Sequence, residues 1–270
     1  MREIVINGWD QLQSAAFEGV WDPNILRYRN NRVYRGVSDK QWDLTPSLNR
    51  CCPHDLGLEK QILRSFKKYG YAELQDAHSF WQLVATGQQY GLPTRLLDWS
   101  YSPLVAAHFA TAELDLYSQD GAIVCCDMEK INNLLPEKYS RLLYQEKCNV
   151  FSMEMLDHAA EGFESLEDIS EKPFAFFFEP ASTRNRIANQ FALFSLCSDP
   201  NFLIDGIPGA QEAFTRIVIP DAAKLEIRDK LDYINISERM LHPGLDGICR
   251  WIARRYAPLG PRYSREEHTK

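Results

Sequence analysis

Apolar residues recur at helical spacing in some stretches of this chain and run together in others, and the two patterns divide it into elements. A short strand at the start precedes a helix over residues 9–17, and a further strand over 32–34 enters a glycine turn at Gly36. Thr45-Pro46 holds residues 42–48 extended or turned, because the residue before a proline avoids helical geometry. Leu58, Ile62, Leu63 and Phe66 share one face of a helix over 56–69, and Phe80, Leu83, Val84 and Gly87 mark another over 79–90. Gly91-Leu92-Pro93-Thr94 ends the second, and Leu96-Leu97 is a short buried piece. Ser102-Pro103 then supplies an N-cap and a first-turn proline for a helix whose inner face is Val105, Ala106, Phe109 and Ala110. Small alanines let such a helix lie close against a sheet.

Apolar runs predict strands over 121–126, 174–178, 190–197 and 215–219, the last stopped by Pro220. Residues 128–170 are more polar and helical in tone and read as an insertion or lid. Helices follow over 222–231 and 245–256, the second with Ile248, Trp251, Ile252 and Arg255 at helical spacing. The expectation is one domain over 1–258 with a disordered tail over 259–270. Strands and helices intersperse without regular βαβ alternation, which makes the fold class α+β rather than a doubly wound sheet.

Charge and cysteine usage narrow the function classes. A net charge of −7 gives no sign of bulk nucleic-acid affinity and leaves room only for a local basic patch. No window is apolar for long enough to span a bilayer, and the N-terminus does not read as a secretory signal. The seven cysteines are odd in number and contain no Cys-x-x-Cys, so neither a disulfide framework nor a zinc site fits them. Most sit in apolar context, as expected of reduced core thiols in a cytoplasmic protein.

Three segments carry candidate chemistry. In Tyr34-Arg35-Gly36 the glycine permits a sharp turn or close approach to a ligand, and Arg35 suits a phosphate. Alternatively Arg35 pairs with Asp39, Asp43 or Asp98 inside the fold. Residues 88–110 crowd Arg95, Asp98, Trp99, Ser100 and Ser102 against the start of an apolar helix. Arg95 and Asp98 either pair across the loop or face a ligand. Ser102 is a cap, yet hydroxyls at a helix N-terminus beside an arginine also form an anion site, and Trp99 offers a flat surface for stacking. The third segment is Arg184-x-Arg186, followed by Asn189-Gln190 at the head of an apolar run. Gln190 there holds a positioned amide, or the arginines simply cap the strand. No histidine or carboxylate arrangement suggests a metal, and His108 reads as a packed helical residue. No Gly-x-Ser-x-Gly, phosphate-cradling glycine loop or GxGxxG occurs, so the hydrolase, kinase and dehydrogenase readings find no support.

Taken together, Tyr34-Arg35-Gly36, residues 88–110, Arg186 to Phe194, and Leu241-His242-Pro243-Gly244-Leu245-Asp246-Gly247-Ile248 resemble the FRG domain family, in order, over about residues 30–255. The family is named for its aromatic-Arg-Gly motif. Ala192 departs from it, standing where a glycine is expected. Many members look like parts of bacterial mobile or anti-phage loci. A more distant resemblance is to the ADP-ribosyltransferase fold, which implies a mixed or antiparallel split sheet with flanking helices. It is carried by Arg35-Gly36, by Ser100-Tyr101-Ser102 leading into Ala106 to Phe109, and by Gln190 before Phe191 to Phe194.

That resemblance implies NAD as substrate. Arg35 would hold its pyrophosphate, Ser100 and Ser102 would shape the nicotinamide pocket, and Gln190 would orient the ribose, with Arg186 and Arg95 holding phosphate or target. Glutamate is the charged residue expected at the Gln190 position, so transfer needs a carboxylate from Asp98, Glu113 or Glu179. The resulting expectation is an effector that modifies protein, RNA or DNA, as a toxin or anti-phage protein with an antitoxin as a candidate partner and no membrane. The alternatives are a non-catalytic nucleotide- or nucleic-acid-sensing module, and a protein-interaction domain whose motifs are structural.

Overall fold

The computed structural model describes residues 1–29, 31–75, 77–167, 169–180 and 185–257, with side chains from Ala188 onward in the last segment. Among the described residues ten strands form: β1 Arg2–Val5, β2 Trp21–Asp22, β3 Arg27–Tyr28, β4 Arg32–Val37, β5 Leu96–Ser100, β6 Gly121–Asp127, β7 Phe151–Ser152, β8 Ala175–Glu179, β9 Ala192–Cys197 and β10 Phe214–Ile219. β2 and β3 make a separate hairpin, and the rest form one mixed sheet in the order β1-β10-β6-β4-β5-β9-β8-β7. Its two outermost pairings, β1 with β10 and β7 with β8, are parallel; the inner ones are antiparallel. With helices on its faces, this is an α+β fold.

The sheet is unevenly joined. β4 pairs with β6 from Arg32↔Asp127 to Val37↔Ala122, and β5 pairs with β9 along its whole length. Between β4 and β5 one pair alone, Tyr34↔Ser100, closes the sheet. Two well-laddered halves therefore meet at a nearly open seam.

Three apolar clusters hold the halves in place. Strand alternation sends Leu96 to one face, among Trp81, Phe176, Phe178 and Phe194. It sends Leu97 and Trp99 to the other, among Val33, Val124, Phe177 and Phe214. The third cluster joins Tyr34 and Ile123 to Ala106 and Ala110 of the Pro103–Ala110 helix, and to Ile227 of the Asp221–Tyr233 helix. β8 supplies large side chains to both faces, which explains why it reads as an unbroken apolar run.

Several expectations are met closely and others need correction. The helices Trp9–Phe17 and Leu245–Tyr256 occupy the residues their periodicity marks, and Ser102 caps its helix through the Val105 N–H with Pro103 in the first turn. Gly36 makes no turn: β4 runs straight through it. Leu96-Leu97 is the start of a full strand, and a helix, Ser47–Cys51, begins inside the segment read as extended. The Phe80–Gln89 helix buries Trp81, Val84, Ala85 and Gly87, so its inner face is rotated from the one containing Phe80 and Leu83. Gln190 does not head a strand. It ends the helix Asn185–Gln190, and Phe191, at φ 48°, turns the chain into β9.

The segment 128–170 buries Tyr139, Phe151, Leu156 and Leu166 in the first cluster. The tail after residue 257 lies outside the described residues. All seven cysteines are free thiols, but only Cys125, Cys126 and Cys197 are buried, fewer than their apolar context implies. Among the described residues no helix is long and apolar enough to cross a membrane.

Candidate functional site

A cavity of about 230 Å³ opens at the seam. Tyr34, Arg35 and Gly36 of β4 form one wall and Asp98 and Ser100 of β5 the other, with Phe109, Gln88 and Gln190 closing the sides. Beside the seam, Gly36 lets the Pro103–Ala110 helix lie directly on β4. A Cβ built on Gly36 would stand 1.9 Å from the Ala106 carbonyl oxygen.

Arg35 is half-buried beside Asp98. Its Nη1 donates to the Asp98 backbone oxygen at 2.7 Å and stands 3.8 Å from the Asp98 carboxylate. The aspartate partner considered from sequence is therefore Asp98. Burial lowers the Arg35 pKa, and Asp98 offsets part of that effect. An arginine so placed stays charged. Its Nε is buried without an acceptor. Buried donors are rarely left unpaired, so this guanidinium keeps unused hydrogen-bonding capacity within the pocket wall.

Amides and hydroxyls build the remainder. Gln88 donates from Nε2 to Asp98 Oδ2 at 2.9 Å and accepts from Thr94 Oγ1 at 2.6 Å, which fixes the way its amide faces. Ser100 donates to the Gln190 backbone oxygen at 2.7 Å and accepts the Ser102 N–H at 3.0 Å, latching β5 to the Asn185–Gln190 helix. Gln190 donates from Nε2 to the Leu241 carbonyl at 2.9 Å, and Asn189 from Nδ2 to that of Met240 at 2.7 Å. The segment around Leu241-His242-Pro243-Gly244 is thereby the anchor of the third wall.

Two candidates, Arg95 and Ser102, do not line the pocket, and Trp99 reaches it without offering a stacking face. Arg95 is buried and bonded to Glu59, not to Asp98, and does not face the pocket. Trp99 reaches the pocket wall, but its indole is only 2 % exposed, donates to Ser195 Oγ at 2.8 Å and packs edge-on to Phe177, leaving no face for stacking. Ser102 caps its helix and is not among the lining residues. The side chain of Arg186 lies outside the described residues, as does Arg184. Gln88 lines the pocket without being one of the candidate site residues of the 88–110 segment. Its signal is its position on the buried helical stripe of Trp81, Val84 and Ala85, where a polar side chain needs a partner.

Of the other carboxylates considered, Glu179 accepts from the Tyr101 hydroxyl at 2.7 Å, and neither it nor Glu113 lines the cavity. Asp98 is the carboxylate in the wall. Among the described residues no three His, Cys, Asp or Glu side chains gather to hold a metal ion.

Behind the pocket, the central helix is tied to the C-terminal helices by a buried polar chain. His108 Nδ1 accepts from Arg228 Nη1 at 2.5 Å, and Arg228 Nη2 donates to Asp232 at 3.0 Å. Arg254 donates to Asp232 at 2.7 Å and to Glu238 at 2.6 Å. Burial, then the neighbouring Arg228, lowers the His108 pKa to about 3. Burial alone would raise the Glu238 carboxyl, but the Arg254 bonds outweigh it and hold it at about 2.

Both folded values lie below the ordinary ones of 6.5 and 4.5, so the unfolded chain binds more protons on acidification. His108 contributes stability above pH 6.5 that is lost progressively toward pH 3, and Glu238 contributes stability above pH 4.5 that is lost toward pH 2. Each pH unit between folded and unfolded values is worth about 1.4 kcal/mol. Thermal melts from pH 7 to pH 3.5 are expected to show a falling midpoint, with a flatter lower limb in Glu238→Gln. A midpoint constant over that range would contradict the assignment.

The arrangement suits a polar ligand with hydrogen-bonding ring or sugar groups and an anionic group within reach of Arg35. No curated protein and no solved structure matches the chain. The later segments, Arg186 to Phe194 and 241–248, fall outside the stretch that a family model recognises. That stretch includes β4, β5 and the Pro103–Ala110 helix that follows: residues 30–118 match the model of the FRG domain.

Proposed function

We propose that the seam pocket binds NAD and that the protein is an ADP-ribosyltransferase-like effector acting on a macromolecule in the bacterial cytoplasm. The observation that carries this reading is the meeting of Arg35, Ser100 and Gln190 at one cavity between two half-sheets. These residues come from three separate parts of the chain, in the order such a site requires. At about 230 Å³ the cavity is below the roughly 300–1,000 Å³ typical of complete ligand sites. It takes one end of the dinucleotide, the nicotinamide with its ribose, and Arg35 holds the phosphate at the mouth.

Bond cleavage at the nicotinamide ribose builds positive charge on the sugar, and Asp98 is the wall carboxylate able to stabilise it. Nicotinamide leaves with the bonding pair, and an acceptor nucleophile bonds the sugar carbon and gives up its proton.

Incubation with labelled NAD tests the reading: nicotinamide is released and label passes to protein, RNA or DNA. Arg35→Gln is expected to weaken NAD binding roughly tenfold to a hundredfold, the worth of a charged hydrogen bond, with an unchanged circular dichroism spectrum. Calorimetry that finds no NAD binding to the wild-type protein would sink the proposal.

One observation favours a second reading, a non-catalytic nucleotide sensor. The residue at the third position is the uncharged Gln190, whose amide is committed to Leu241, and Asp98 is already engaged by Gln88. NAD binding without nicotinamide release or label transfer selects the sensor.

A further inference from the structure

We propose that a second cleft, lined by the Asp221–Tyr233, Glu238–Leu241 and Leu245–Tyr256 helices, binds a nucleoside monophosphate. Its volume is about 720 Å³, within the size range of small-molecule sites and larger than the seam pocket.

The polar groups in this cleft divide into spent and unspent. Arg254 is spent, because it donates to both Asp232 and Glu238, and Asp232 is neutralised by Arg228 and Arg254 together. Arg239 and Arg255 are not. Their guanidinium carbons stand 4.8 Å and 5.5 Å from the ring centre of Trp251, and neither makes an ion pair among the described residues. Two like charges are thus brought to one indole, and among the described residues neither has a carboxylate partner. An aromatic ring attracts each cation, but does nothing to relieve their mutual repulsion. A dianionic phosphate does both jobs of a counter-ion: it neutralises the pair and accepts from two planar forks.

The rest of the cleft specifies what the phosphate is attached to. The Trp251 indole N–H has no acceptor among the described residues, and Tyr233 lends a second aromatic surface. Asp229 lines the same cleft, exposed and without an ion pair among the described residues. A lone carboxylate opposes a bare anion but accepts well from ribose hydroxyls or a base amino group. Cations, aromatic surface and one carboxylate left unpaired among the described residues therefore fit a phosphate, a flat ring and a sugar in one molecule.

The experiment is a calorimetric titration of the full chain with AMP, adenosine and inorganic phosphate in turn. AMP is expected to bind at least tenfold tighter than either fragment. The double variant Arg239→Gln/Arg255→Gln is expected to weaken AMP roughly tenfold to a hundredfold. Both arginines are exposed, so the variant keeps its fold, checked by circular dichroism. Arg35→Gln is expected to leave AMP binding unchanged, which separates this cleft from the seam pocket and from the fate of the NAD reading. No saturable binding of AMP at millimolar concentration overturns the proposal. So does binding that survives the double variant, binding lost instead in Arg35→Gln, or phosphate binding as tight as that of AMP.

Discussion

Replacing Glu59 with alanine is expected to destabilise the protein by about 3–5 kcal/mol, the usual consequence of stripping one partner from a buried ion pair. Glu59 and Arg95 are 1 % and 5 % exposed. One carboxylate oxygen accepts from Arg95 Nε at 2.6 Å and the other from the Arg95 backbone N–H at 2.9 Å. Burial drives the Glu59 carboxyl upward, and Arg95 draws it back down. Without Glu59 the guanidinium keeps the Ser198 carbonyl at 3.1 Å, the edge of Glu167 at 3.5 Å and the Phe163 ring at 3.9 Å. None of these restores both lost hydrogen bonds.

At about 2–4 °C per kcal/mol for a chain of this size, the melting temperature falls by on the order of 10 °C. Glu59→Leu combined with Arg95→Met is expected to recover much of the loss, because an apolar pair of similar volume leaves no stranded charge. A single-variant loss under 1 kcal/mol in urea denaturation would show that water or Glu167 takes over the guanidinium.

Gly36→Ala is expected to cost about 3 kcal/mol or more, at or above the upper end of ordinary overpacking. The added carbon meets backbone atoms, 1.9 Å from the Ala106 oxygen and 2.8 Å from the Ala110 nitrogen, so no side-chain rotation relieves it. β4 cannot retreat, because its other edge is laddered to β6 throughout. The helix must lift instead, carrying Phe109 away from the pocket. NAD binding should therefore fall together with stability in whatever fraction stays folded. Gly162→Ala is the control: its nearest neighbours are Phe80 ring atoms at 3.8 Å, an ordinary contact, and its melting temperature should match wild type. Equal stability of the two variants would mean that the close approach of helix and strand is relieved at little cost.

Features written in neighbouring residues were the legible ones. Ser102-Pro103 marks a helix start by itself, and the 245–256 periodicity fixes its helix because both signals lie within a few residues of what they control. Partners brought together by the sheet were not legible. Arg95 and Asp98 are three apart and of opposite charge, yet each pairs elsewhere, Arg95 with a helix 36 residues earlier and Asp98 with β4. One correction was within reach of sequence reasoning. In the strand Leu96-Leu97-Asp98-Trp99-Ser100, a period of two puts Asp98 and Ser100 on one face and Trp99 on the other, which removes Trp99 from the ligand side. The Gln190 boundary was not, since an apolar run carries no mark of where a helix stops and a strand begins.

The single Tyr34↔Ser100 pair also sets the mechanics of the molecule. A sheet laddered throughout resists bending across its strands, whereas one held at a single rung is stiff within each half and compliant between them. The softest deformation available is a change of tilt between β4 and β5, which alters the width of the cavity while every other ladder stays intact. A ligand filling that cavity acts as a rivet, coupling two plates whose backbones share one rung.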